Sequence, residues 1–264
     1  LLDRRTHGVS AAAAQTSAAT TAPVLAAVAL AKAGADHDGL AGFDLAVPRG
    51  AHVALFGAAG AGKSLALQLL LGLVKPDAGR ALLFGDDPAG PRAATLRTRL
   101  GFVPAQDGLF ADRSVEENVA LALPRGRHAA ARARAVRESL LLVGLKHLEH
   151  VKPGSLAPGV RRRVALARAI AHAPELLVVD EPVAGLDPAG AAIVATLVAQ
   201  LRERLGLTLL VATRDPRGFE GADRVAFLHA GRIQAEGAPA ALRARADAAL
   251  QQLLCGRPFG PLAS

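Results

Sequence analysis

One run of eight residues, Gly57-Ala58-Ala59-Gly60-Ala61-Gly62-Lys63-Ser64, constrains this chain more than any other feature. It fits the pattern G-x-x-x-x-G-K-[S/T] and lies between an apolar strand signal at 52–56 and residues 63–74, whose apolar positions recur at helical spacing. A strand, a glycine-rich loop and a helix in that order make a phosphate cradle. The glycines let backbone N–H groups converge on phosphate oxygens, and the helix N-terminus adds positive potential. Lys63 then reaches the terminal phosphates, and the Ser64 hydroxyl is placed to ligate Mg²⁺. The competing reading is a glycine-rich turn that binds nothing, and the flanking strand and helix count against it.

A second stretch supplies what a phosphate loop needs. The apolar residues Leu176, Leu177, Val178 and Val179 run into Asp180 and Glu181, so a buried strand ends in two carboxylates. Asp180, at the strand tip, would hold the Mg²⁺ shell, while Glu181 would orient or deprotonate an attacking water. Taken alone, such a pair is more often a cap for the following helix; beside a phosphate loop, the metal reading wins. Around these motifs helical and strand signals alternate: helix 160–173, strand 176–179, helix 191–205, then strands 208–212 and 224–229. That order predicts a mostly parallel sheet with helices on both faces. Segments 24–30 and 43–47 read as antiparallel strands, 80–84 as a further strand, and the Arg/Ala-rich stretch 114–150 as inserted helices broken at Pro124 and Gly126.

Composition narrows the partners. A formal charge of +8 invites nucleic acid, but the 264 residues include no Trp, no Tyr and only eight Phe, leaving almost nothing to stack on bases. No nucleic acid is therefore expected. Arg127, Arg132, Arg134 and Arg137 read as a solvated helix face, with anionic lipid headgroups as the alternative. The single Cys255 cannot form an intramolecular disulfide. The uncharged stretch 8–31 is rich in Ala, Ser and Thr, and its apolar part, 24–30, is far short of the roughly 20 residues needed to span a bilayer. It reads as a disordered leader entering a first strand.

The motifs, in this order, resemble those of ABC transporter ATPases from residue 24 onward. Pro182 and Gly185-Leu186-Asp187-Pro188 are similar to the family's D-loop, whose aspartate contacts the opposite subunit. Arg161-Arg162-Arg163-Val164-Ala165-Leu166-Ala167-Arg168-Ala169 resembles the helix after the signature sequence. Gln106 falls in the region of the Q-loop, which in the family senses Mg-ATP and faces the membrane subunit, so Gln106 joins Ser64 and Asp180 as a metal-site candidate. Within the family, the stretches 106–110 and 115–120 and the tail residues 253–256 and 260–261 are similar to the Mla and Mce type, which energise lipid transport.

The resemblance implies an α/β P-loop NTPase fold of the ABC type, with a mostly parallel sheet, an antiparallel β subdomain and an inserted helical subdomain. Its implied divisions are a leader at 1–23, an ATPase domain at 24–252 with the helical subdomain at about 105–165, and a tail at 253–264. ATP and Mg²⁺, an integral membrane permease and a second ATPase subunit are the implied cofactors and partners. The implied place is the cytoplasmic face of the inner membrane.

Four departures stand out against that pattern. The signature L-S-G-G-Q reads Leu156-Ala157-Pro158-Gly159-Val160, which removes the serine hydroxyl and one backbone donor. Losing a donor aimed at transition-state charge costs about 3–4 kcal/mol. Arg214 stands where the family has its switch histidine; an arginine still grips a phosphate, but with different length and fixed charge. Leu30, Ala31 and Lys32 occupy the neighbourhood of the aromatic that stacks on adenine. Gln106 also falls one position late. The expected reading is a working, ATP-hydrolysing motor, with a nucleotide-binding regulatory subunit of little turnover as the alternative.

Overall fold

Three strands of the central sheet, β3 (His52–Phe56), β6 (Leu176–Asp180) and β7 (Thr208–Thr213), are buried along their whole length. Unbroken apolar runs such as Leu209-Leu210-Val211-Ala212 are what a parallel strand needs when both faces are covered. The protein is described by a computed structural model, which covers residues 22–34, 39–124, 126, 128–219 and 221–256. Residues 1–21 of the leader, Arg127 and the part of the tail beyond Gly256 lie outside the described residues.

In chain order the elements are β1 (Leu25–Lys32), β2 (Leu40–Val47), β3, α1 (Lys63–Leu70), β4 (Ala78–Leu83), α2 (Ala93–Arg97), β5 (Leu100–Val103), α3 (Val115–Ala120) and α4 (Ala129–Leu142). They continue with α5 (Pro158–Ile170), β6, α6 (Pro188–Leu205), β7, β8 (Arg224–His229), β9 (Arg232–Gly237), α7 (Pro239–Arg243) and α8 (Ala248–Cys255). The central sheet runs β5-β6-β7-β3-β8-β9, parallel except for the β8–β9 pair. A separate antiparallel sheet, β2-β1-β4, covers one side. One apolar core fills the space between the two sheets around α1, and another lies under α5 and α6. This is the α/β architecture expected from the sequence.

Local chemistry explains the element ends. The α1 helix stops at Leu70, four residues before its periodicity suggests, because the chain turns at Gly72 with φ +66° against the backbone of Pro88. The β5 and β9 strands escaped the sequence reading: one is four residues long and carries Gly101, the other is a half-exposed edge. Gly101 is there because a Cβ would meet the Ala169 carbonyl at 2.4 Å, so only glycine lets β5 pack under α5.

The helical insertion is nailed down by polar groups. Ser114 and Glu117 form a reciprocal capping box at the start of α3. Asn118, fully buried, binds Phe110 through both its amide groups and also reaches the Arg113 and Ser114 carbonyls. Arg132, read from sequence as part of a solvated face, turns inward. Its guanidinium donates to the carbonyls of Ala120, Leu123 and Pro124, satisfying the open C-terminal end of α3.

Candidate functional site

The strand order β6-β7-β3 brings three carboxyl ends side by side, the place where ligands sit in open parallel sheets. Backbone bonds lock the loops that leave them. Gly57 N–H donates to Thr213 O at 3.2 Å, and Glu181 N–H to Ala212 O at 2.7 Å. Gly57 must be glycine, since a Cβ would stand 2.4 Å from the Leu228 carbonyl. Gly60 and Gly62 take φ of +74° and +92°, and Gly62 caps α1 in the left-handed conformation, which leaves the first N–H groups of α1 open to a ligand.

Lys63, Ser64, Asp180 and Glu181, named from sequence, come together here. The buried Lys63 ammonium donates to the Gly57 and Ala58 carbonyls at 3.0 and 2.8 Å and pairs with Glu181 Oε1 at 3.2 Å. Ser64 Oγ donates to Asp180 Oδ2 at 2.8 Å. Burial pushes the Asp180 carboxyl above its usual range, opposed by the Ser64 hydrogen bond. The other Asp180 oxygen, Oδ1, is buried without a partner. An unpaired carboxylate oxygen beside a serine hydroxyl is a donor set suited to Mg²⁺, which takes one or two protein oxygens and completes its shell with water and phosphate. No group of three or more His, Cys, Asp or Glu side chains able to hold a metal occurs among the described residues, so the protein donors to such a cation would be few.

Glu181 has φ +47°, an uncommon conformation for a residue with a side chain. Three contacts hold it: its N–H to Ala212, its Oε1 on Lys63, and its Oε2 accepting the Arg214 N–H at 3.1 Å. The strain aims the carboxylate back over the phosphate loop. Arg214 itself is exposed and lines the same cleft of about 280 Å³ as Lys63, Ser64 and Glu181. Ala58 and Ala61 belong to the loop, and Ala59 and Gly60 line the cleft.

Gln106 is not among that cleft's lining; it is exposed and borders a second cleft with Asp107, Pro158, Arg162 and Gly185. Ala105 touches both clefts. Pro158 takes the first position of α5, where a missing N–H disturbs nothing, and Ala157 caps that helix without any side-chain bond.

Residues 40–184 match the model of the ABC transporter family. The chain belongs to that family. Among known ABC proteins, it is 38% identical to the methionine import ATP-binding protein MetN of Rhizobium johnstonii, over 84% of this chain and 63% of the relative. It thus spans less than two thirds of that protein. It is 35% identical to the intermembrane phospholipid transport system ATP-binding protein MlaF of Escherichia coli, over 83% of each. Among solved ABC structures, a dimeric post-hydrolysis state of the cassette MJ0796 bound to ADP and Pi superposes with a TM-score of 0.72 and 25% identity, covering 81% of this chain and 98% of that one.

Sequence reasoning did not find Arg162 as a site-bordering residue. It stood within an arginine run on one helix, and no spacing rule says which of three neighbours turns inward.

Proposed function

We propose that this chain binds and hydrolyses ATP as the nucleotide-binding subunit of an ABC transporter. The observation that carries the reading is the convergence of Lys63, Ser64 and Glu181 on one cleft under an open helix N-terminus, with Asp180 buried behind it on the Ser64 hydroxyl. In this reading the loop 57–64 holds the phosphates, Mg²⁺ on Ser64 and Asp180 neutralises developing charge, and Glu181 orients the attacking water. Arg214, which lines the cleft, would then grip the terminal phosphate, and Gln106 would monitor the site from the loop after β5. A second ATPase subunit, identical or homologous, closes against the signature end of α5, and both drive an integral membrane permease at the cytoplasmic face of the inner membrane. No described helix is long and apolar enough to cross a membrane, so attachment through a permease fits the described residues.

The likeness to MlaF over 83% of both chains supports phospholipid or another lipid as cargo, and the 38% identity to a methionine import ATP-binding protein is the reason the cargo needs its own test. Ala157, Pro158 and Arg214 favour a second reading, an ATP-binding regulatory subunit with little turnover. Steady-state ATPase assays of the purified chain, alone and with its permease, separate the two. Turnover that Glu181→Gln lowers by about 10³-fold supports the motor, by the usual logic of removing a group that acts in the transition state. Tight ATP binding with no turnover in either setting supports the regulator.

A further inference from the structure

The loop that leaves β5 has no strand partner for its carbonyls, and a loop held in one conformation needs donors for them. Two arginines of α5 supply them. Arg162 donates to the Pro104 and Ala105 carbonyls at 2.9 and 2.6 Å, and Arg168 to the Asp107 and Gly108 carbonyls at 2.9 and 2.5 Å. Four carbonyls of 104–108 are thus held by one helix.

The two arginines are not equivalent. Arg162 is buried, in the second turn of α5, four residues after Pro158. Its Nε stands 3.1 Å from Asp107 Oδ1, and both atoms are buried without a well-aligned hydrogen bond. That contact is one of charge, not of geometry. Burial lowers the Arg162 pKa, while Asp107, Asp180 and Glu181 oppose the shift, so the guanidinium feels both carboxylates of the phosphate cleft. Ala105, whose carbonyl it holds, lines that cleft beside Lys63, Ser64 and Arg214.

We infer that Arg162 is a positioning residue for hydrolysis: through the Ala105 carbonyl and Asp107 it holds the loop after β5 against the phosphate cleft and ties it to the signature end of α5. A movement of that end reaches the phosphates through this one buried side chain. The badly aligned Asp107 contact is where the link adjusts. Because Arg162 holds backbone by a planar fork, lysine keeps the charge and loses the fit.

The inference rests on the ATPase reading, and the test separates the two. Arg162→Lys, and independently Asp107→Asn, are compared with the unaltered chain by ATP titration, steady-state turnover, thermal melting and amide hydrogen exchange of the nucleotide-free protein. Expected are a kcat about tenfold lower with the ATP KM within about threefold. Exchange should rise about fivefold or more at 105–109 while β6 stays protected. Should the unaltered chain show no turnover, the ATPase reading fails, and the exchange pattern still decides whether Arg162 holds the loop. Unchanged kcat and unchanged exchange in both variants overturn the inference. So does a kcat loss matched by equal loosening of β6 and a lower melting temperature, which marks a merely structural arginine.

Discussion

Two helices begin at clefts in this molecule, and they begin differently. The α1 helix opens from a glycine in the left-handed conformation, follows with Lys63 and Ser64, and presents a carboxylate-lined cleft. The α5 helix opens from Ala157 and Pro158, with neither a capping side chain nor a donor at its first position. Both starts are sound helix chemistry, since Pro fits the first turn and Gly62 costs only backbone entropy. The difference lies in what each end offers a phosphate. Folding constrains both ends lightly, so a helix start is free to keep or lose anion-binding groups without disturbing the core behind it.

The comparison breaks if the α1 end is not where nucleotide binds. Lys63→Ala should abolish binding of a fluorescent ATP analogue at micromolar concentration, a loss of about 4 kcal/mol or roughly 10³-fold. The melting temperature should fall by no more than a few degrees. Undiminished affinity in the variant would sink the reading of the whole cleft.

The two ends also rest on supports of different pH sensitivity. The β3 strand, which leads into the phosphate loop, starts at His52, 2% exposed and with both ring nitrogens unpartnered. Burial lowers its pKa to about 4, and the Gly221 backbone and Asp223 only partly oppose this. Between pH 6.5 and about 4 the unfolded chain binds a proton at residue 52 that the folded chain refuses. Stability from this group is therefore complete above pH 6.5 and falls as pH drops toward 4, by about 3 kcal/mol in total. The arginines that hold the α5 end stay charged throughout. Denaturant melts at pH 7 and pH 5 should differ by about 2 kcal/mol of this loss, and His52→Val should remove most of that difference. An identical pH slope in the variant would assign the acid sensitivity elsewhere.

The smallest expected effect sharpens the comparison directly. In a homodimer both sites inherit the altered signature, so Ala157→Ser with Pro158→Gly should raise kcat about tenfold with little change in ATP affinity, because the recovered donors act on transition-state charge. The two need not add, since they serve one phosphate. If kcat stays level while Glu181→Gln still eliminates turnover, the α5 end is neutral and Arg214 or a partner subunit carries that role.

Much of the site was legible because its chemistry is local. Gly57 to Ser64 are contiguous, and the run 176–181 announces a buried strand ending in acids through residue type alone. The β6 strand runs one residue further than its apolar pattern, so Asp180 pairs within the sheet and is fixed by it. Gln106 and Ala105 illustrate the opposite case. Adjacent in sequence, they share the second cleft, but only Ala105, whose carbonyl Arg162 holds, also borders the phosphate cleft.

By itself, then, the sequence determined what depends on neighbours along the chain: the phosphate loop, the carboxylate pair, the alternation of strands and helices, and the proline start of α5. Tertiary structure alone decided the left-handed Glu181, the inward turn of Arg132 and Arg162, the glycine that admits β5 under α5, and the buried, unpaired His52. Each of these depends on a carbonyl, a strand or a void contributed by residues far away in sequence. Periodicity records which face of a helix is apolar, but not which distant backbone group waits opposite a given arginine.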